Sequence, residues 1–342
     1  MSPRVAVIAT VLNESESIQT LLDSLAAQTR APDEIIIVDG GSTDGTLAIL
    51  QEYTERLPLR VISLPGANIS EGRNAAIRAT QADIIASTDA GVRIPPDWLA
   101  HLIAAWDRGE NPPAVAGFFL PDPQTLFEWA LAATTLPLVE EIDPSRFLPS
   151  SRSVAFRRDV WEQVGGYPEW LAYSEDVVFD LRIRALAGEF AWAPDAVVYF
   201  RPRSTVRAFF RQYRNYAFGD GQADLWRMRH AIRYGTYFVA LPALLVLGWT
   251  IHPLFWGLIL LGVVAYCRRP WWRLKRLHTG RKGPHWREYL WVPALRVIGD
   301  IGKMIGYPQG VWWRRRHRDD PRVHWRRDLP KRVGGTSGGR VL

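Results

Sequence analysis

Six clusters of polar residues in this 342-residue chain have the types and spacing to do chemistry. Thr10-Val-Leu-Asn13-Glu14 and Asp39-Gly40-Gly41-Ser42-Thr43-Asp44-Gly45-Thr46 each close a short apolar run. Paired glycines allow a tight turn, and hydroxyls such as those of Thr10 and Ser42 can meet a base or a ribose. Asp39 is placed to accept hydrogen bonds from a uracil or ribose, and Asp44 is expected to cap the helix that follows. Glu71-Gly72-Arg73-Asn74 offers Arg73 to a phosphate or base. Ser87-Thr88-Asp89-Ala90-Gly91 offers a carboxylate that can hold a divalent cation against a diphosphate. The acids of Tyr173-Ser-Glu175-Asp176-Val-Val-Phe-Asp180 can deprotonate an acceptor hydroxyl, or simply complement a helix N-terminus. Last, Arg201, Arg203, Arg207, Arg211 and Arg214 interleave with aromatic residues. Arg207, Arg211 and Arg214 share a helical face that suits phosphate or a lipid headgroup.

The elements that must position these clusters alternate strand and helix over the first 120 residues. Val5–Thr10, Glu34–Val38, Val61–Leu64 and Ile84–Ser87 read as strands, with helices over Ser15–Gln28, Asp44–Tyr53, Asn68–Thr80 and Asp97–Trp106. The alternation predicts an α/β fold with a mostly parallel, doubly wound sheet. Ligands bind such sheets beyond the C-terminal strand ends, where the clusters fall. Residues 120–230 read as the second half of the same domain.

The net charge of +7 conceals a division. From Arg268 to the end there are 20 basic and 5 acidic residues, a balance of +15, and the preceding 267 residues carry −8. Between the extremes, the 34 residues Tyr234–Cys267 contain no Asp, Glu, Lys or Arg. Two short apolar helices, Tyr234–Thr250 and Leu254–Cys267, turned at His252-Pro253 or re-entrant, keep the basic tail on the cytoplasmic side. Glu288–Trp313 then reads as an amphipathic helix in the interface plane, Leu295, Ile298, Ile301 and Ile305 apolar, Arg296, Asp300 and Lys303 polar. Domains are expected at 1–228, 229–267 (membrane hairpin), 268–313 (basic loop and interfacial helix) and 314–342 (basic, largely disordered tail, with Val333–Leu342 rich in Gly and Ser). The single cysteine, Cys267, excludes an intramolecular disulfide and fits a reducing compartment. No secretory signal peptide is legible at the N-terminus.

In this order the stretches ATVLNES, IIIVDGGSTDGT, GRNAAI, STDAGVRIPPDWL, AFRRDVWEQVGGYPEW and YSEDVVFDLRIR resemble the family 2 glycosyltransferases of GT-A fold, of the membrane-bound bacterial type. The resemblance covers about residues 4–216. It implies an inverting transfer from a nucleotide-sugar, UDP-linked by default, to a lipid-linked or polysaccharide acceptor. The site would lie at the cytoplasmic face of the bacterial inner membrane, with membrane lipids as partners and no nucleic acid. It implies that Thr10, Asn13, Glu14, Asp39, Ser42 and Arg73 bind the donor, with Arg211 and Arg214 in a loose echo of a QxxRW signature. Asp176 would be the general base beside Glu175, and Asp89 a ligand for Mg²⁺ or Mn²⁺. Gly91 and Phe200 stand where the resemblance implies two further metal ligands, and arginines of 201–214 are expected to supply part of the missing charge. A non-catalytic membrane adaptor and a nucleotidyltransferase are the alternatives. The second would need a Gly-rich basic loop after the first strand, which TVLNES lacks.

Overall fold

The computed structural model describes residues 3–280, 283–327 and 329. The described chain divides into two compact units. Among the described residues, the first is built from residues 3–122, 139–201 and the segment from Trp325, and the second from Pro123–Leu138 and Pro202–His324. Within the second unit the helix after 205 packs on a C-terminal helix.

In the first unit the order is β1 (Val5–Val11), α1 (Ile18–Ala26), β2 (Glu34–Asp39), α2 (Thr46–Tyr53), β3 (Leu59–Ser63) and α3 (Ile69–Arg78). Then come β4 (Ile84–Ser87), β5 (Val92–Arg93), α4 (Trp98–Asp107) and β6 (Ala114–Pro121). Helix α5 (Leu126–Thr135) belongs to the second unit. The first unit resumes with β7 (Val154–Arg157), α6 (Arg158–Gln163), α7 (Glu175–Leu186) and β8 (Ala191–Phe200). The eight strands form one sheet in the order β3-β2-β1-β4-β7-β6-β8-β5. Strands β3, β2, β1 and β4 are parallel, as their βα alternation requires. Beyond β4 the sheet is mixed, since β7 runs antiparallel to both β4 and β6. The later strands lack the regular crossover helices that fixed direction in the first half, so the alternation could not reveal this.

Strand β1 is apolar except at Thr10 because both of its faces are covered. Val5, Val7, Ala9 and Val11 enter a core with Leu21, Leu22, Leu50, Trp98 and Leu102. Ala6 and Ile8 enter a second core with Ile77, Val160, Trp161, Phe179 and Ile183. Helices therefore sandwich the sheet and leave its C-terminal strand ends open.

The second unit continues with α8 (Val206–Gln222), α9 (Arg227–Gly235), a π-helical turn (Thr236–Ala240), α10 (Leu241–Thr250), α11 (Leu254–Leu277) and α12 (Trp286–Arg316). Among the described residues one helix, Arg227–Thr250, is long and apolar enough to cross a membrane. It forms a hairpin with α11, whose Trp256 Nε1 donates to the Leu245 carbonyl at 3.3 Å. Phe238, Val239, Trp249, Ile251, Leu254 and Leu260 are all exposed on it.

Three expectations for this region change. The basic stretch after Cys267 is not a loop, because α11 runs on through it to Leu277. Residues 314–327 are folded, since α12 reaches Arg316 and Val323 and Trp325 are buried. Residues 328 and 330–342, Val333–Leu342 included, lie outside the described residues. Third, Asp300, expected on the polar face of α12, is buried. Its carboxylate accepts from Arg233 Nε at 2.7 Å and from the Tyr237 and Tyr266 hydroxyls at 3.1 and 2.5 Å. On the side facing α8, α12 presents Gly302, Gly306 and Gly310, and α8 answers with Gly221.

Candidate active site

The first two clusters meet at the ends of β1 and β2 and are laced together. Asn13 N–H donates to Ser42 Oγ at 2.9 Å, Glu14 N–H to Thr46 Oγ1 at 2.9 Å, and Ser15 N–H to Asp44 at 3.0 Å. In return Thr43 N–H donates to Asn13 Oδ1 at 2.9 Å. Asn13 holds a left-handed backbone, with φ of 56°. Such a conformation in a non-glycine residue persists only where its surroundings fix it. Asp44 does not occupy the cap position of α2, which is Gly45. It accepts from the Thr46 hydroxyl two residues ahead, and that hydrogen bond holds its carboxyl well below the usual range.

Asp39 is 1% exposed and accepts from the Gly41 and Ser42 N–H groups at 3.0 and 3.1 Å. Gly41, at φ of 99°, makes that turn possible. A carboxylate has acceptor capacity beyond two donors, so Asp39 can serve a ligand as well as its own turn. Thr10, next to last in the neighbouring β1, pairs with Val38, and Gly72 of α3 fits against it so closely that a Cβ there would lie 2.7 Å from Thr10 Cγ2.

Helix α3 begins with a capping box, Asn68 Oδ1 accepting from Glu71 N–H at 3.0 Å and Glu71 Oε2 from Asn68 N–H at 2.8 Å. That start aims the next two side chains. Asn74 is saturated: Nδ2 donates to the Tyr167 carbonyl and Glu169 Oε1, and Oδ1 accepts from Trp161 Nε1 and Tyr167 N–H, all within 3.0 Å. It clamps the Gly165–Trp170 loop over α3. Asn74→Ala strands four polar groups, and a loss of about 3 kcal/mol in unfolding free energy is expected, measurable by chemical denaturation.

Arg73 is 2% exposed. Its Nη2 donates to Asp89 Oδ1 at 2.9 Å and its Nη1 to Glu175 Oε1 at 2.9 Å. This guanidinium joins the end of β4 to the start of α7. Its Nε is buried with no partner. Despite the cost of burial, the carboxylates, Asp89 first, hold Arg73 firmly charged.

Asp89 receives a second guanidinium. Arg152 Nε lies 3.3 Å from Asp89 Oδ2, and Arg152 stands over the Phe200 ring at 4.8 Å. Arg152 was not singled out in the sequence. Its signal lies in the sheet register, where Ser87 pairs with Val154 in the antiparallel β4–β7 ladder. Two residues after Ser87 on one strand and two before Val154 on the other, the same register puts Asp89 opposite Arg152.

Glu175 and Asp176 open α7 after Ser174, which is left-handed at φ of 61°. Burial, then the charge of Asp176, push Glu175 up to about 7 against the pull of Arg73. Burial also raises Asp176, although Arg73 and the Val177 N–H oppose it. One turn on, burial and the Asp176 charge push Asp180 well above the usual carboxylate range. Burial thus raises all three carboxyls above their ordinary range, a state suited to a general base.

The first unit thereby gathers Thr10, Asn13, Glu14, Asp39, Ser42, Arg73, Asp89, Glu175 and Asp176, adding Arg152. Glu14 serves chiefly its own turn, accepting from the Ser17 hydroxyl. Arg211 and Arg214 are exposed on α8 of the second unit.

Residues 6–159 match the family described as glycosyl transferase family 2, and residues 85–275 match glycosyl transferase family group 2. The chain belongs to the family 2 glycosyltransferases. Glycosyltransferase AglE of Haloferax volcanii is 26% identical over 234 residues, 66% of this chain and 75% of that protein. Succinoglycan biosynthesis protein ExoA of Rhizobium meliloti is 28% identical over 237 residues, 64% of this chain and 68% of that protein. Mannosyltransferase PcManGT of Pyrobaculum calidifontis, solved with GDP-Man and Mn²⁺, is 20% identical with a TM-score of 0.60, covering 89% of this chain and 88% of that one. The transferase has the GT-A fold.

The divalent cation implied at Asp89 does not fit the side chains of this transferase. Among the described residues no three His, Cys, Asp or Glu are grouped to hold a metal. Both Asp89 oxygens face guanidinium groups, and Gly91 and Phe200 bring no ligand.

Proposed function

We propose that this transferase moves a sugar from a UDP-linked donor to a lipid-linked acceptor at the cytoplasmic membrane face, with inversion at the anomeric carbon. One observation carries the reading: the Asp39 turn, the Arg73–Asp89 pair and the acids Glu175 and Asp176 converge at the C-terminal ends of β1, β2 and β4 in a single unit. The Asp39 turn receives the nucleoside. Asp176 takes the proton of an acceptor hydroxyl as its oxygen attacks the anomeric carbon, and the bond to the diphosphate breaks with its electron pair going to the leaving group. Fixed positive charge stabilises the diphosphate as it departs.

The membrane part rests on the second unit. Arg227, Arg229 and Arg233 stand at one base of the apolar hairpin and Arg268, Arg269 and Arg273 at the other. A hairpin that enters and leaves on one side keeps all six in the cytoplasm, as the positive-inside rule favours.

The test incubates membranes containing the protein with a panel of UDP- and GDP-sugars and extracted lipids. Release of nucleoside diphosphate with one donor and appearance of a glycolipid are expected. No release with any donor would favour the non-catalytic adaptor, for which Gly91 and Phe200 speak.

A further inference from the structure

Asp89 is held between two cations. Arg73 occupies Oδ1 from the buried side, and Arg152 approaches Oδ2 with its side chain 26% exposed. One carboxylate and two guanidiniums sum to a charge of +1, the same as one carboxylate and one divalent metal ion. Arg152 is fixed in place on three sides. Asp89 takes its Nε, Ser150 Oγ accepts from its Nη1 at 3.2 Å, and the Phe200 ring lies under its plane. Phe200 is in turn set by pairing with Val92, next to Gly91. Around Gly91 there is room, since a Cβ built there meets nothing within 4 Å. Gly91 brings no side chain to it. The chain instead supplies a flat apolar ring, which suits a guanidinium face and offers a metal ion nothing.

We propose that Arg152 is the cation that binds the donor's diphosphate in this protein, in the place of a divalent metal. A guanidinium donates two N–H groups in a plane and matches phosphate oxygens bidentately. Being always protonated, it needs no exchangeable ion. Asp89 acts here as a positioning residue, orienting Arg152 rather than ligating metal. The proposal rests on the transferase reading, but its binding arm stands apart from turnover.

The full-length protein in detergent is titrated with UDP, GDP, uridine and guanosine by calorimetry, in excess EDTA and in Mn²⁺. The nucleoside diphosphate of the donor should bind in EDTA within about twofold of its affinity in Mn²⁺. Arg152→Ala should weaken it at least about tenfold while leaving the parent nucleoside unchanged, a split that a general loss of structure would not give. Arg152→Lys should recover part of the loss. Turnover should survive EDTA in the wild type, fall about a hundredfold in Arg152→Ala, and return in part with added guanidinium ion. In the Arg152→Ala background, Gly91→Asp should make diphosphate binding depend on Mn²⁺. Wild-type binding abolished by EDTA and restored by Mn²⁺ would overturn the proposal, as would Arg152→Ala binding like wild type. Failure of the transferase reading looks different: Arg152-dependent binding persists and no donor is turned over.

Discussion

Asp176→Asn should lower turnover roughly a thousandfold while donor affinity stays within about twofold of wild type. Asparagine keeps the size and one oxygen of the side chain but cannot take a proton, so the loss falls on kcat rather than on binding. The wild-type pH profile gives the same group a second signature. The base works only when deprotonated, and burial raises both Asp176 and Glu175, the latter to about 7. Turnover should therefore begin to fall at a pH above the ordinary carboxylate range near 4. In Asp176→Asn the like charge beside Glu175 is gone, so Glu175 should titrate lower. Full activity in that variant would remove Asp176 as the base.

Gly306→Ala is expected to be the most damaging single methyl in the second unit. A Cβ at Gly306 would lie only 1.9 Å from the Arg214 carbonyl oxygen, and one at Gly310 2.0 Å from that of Phe218. These are backbone atoms of α8, so relief requires the two helices to separate, not one side chain to turn. Glycines four residues apart line one side of a helix and permit this approach. A loss of about 3 kcal/mol or more is expected, visible as a fall in Tm of several degrees in detergent. Gly262→Ala is the control, because a Cβ there meets nothing within 4 Å and the Tm should hold. An unchanged Tm in Gly306→Ala would mean that α8 and α12 are not packed through this glycine seam.

Local pattern made much of the site legible. Asp39, Asp89 and the laced loops of Asn13 and Ser42 sit at strand ends because apolar runs of strand length stop where polar ones begin. What sequence could not show was pairing at a distance. Arg73 is one residue past a glycine that exists for close packing, and nothing local says that its guanidinium spans from Asp89 to Glu175. Arg152 emerges only once β7 is known to run antiparallel to β4, which the regular βα alternation did not suggest. Asp300 misled for a related reason. Helical periodicity assigned it to a solvated face, yet Arg233, Tyr237 and Tyr266 satisfy its carboxylate in the interior. The glycine seam was present as Gly302, Gly306 and Gly310, but the stripe of isoleucines beside it gave the stronger amphipathic signal.

The central claim is a single displacement with Asp176 as base, and the anomeric configuration of the first-formed product tests it most directly. Proton NMR of the product, recorded as turnover proceeds with the donor found by the panel, reads that configuration from the anomeric coupling. A configuration opposite to the donor's is the expected result. Retention of the donor's configuration would contradict it, since one displacement cannot leave the anomeric centre unchanged.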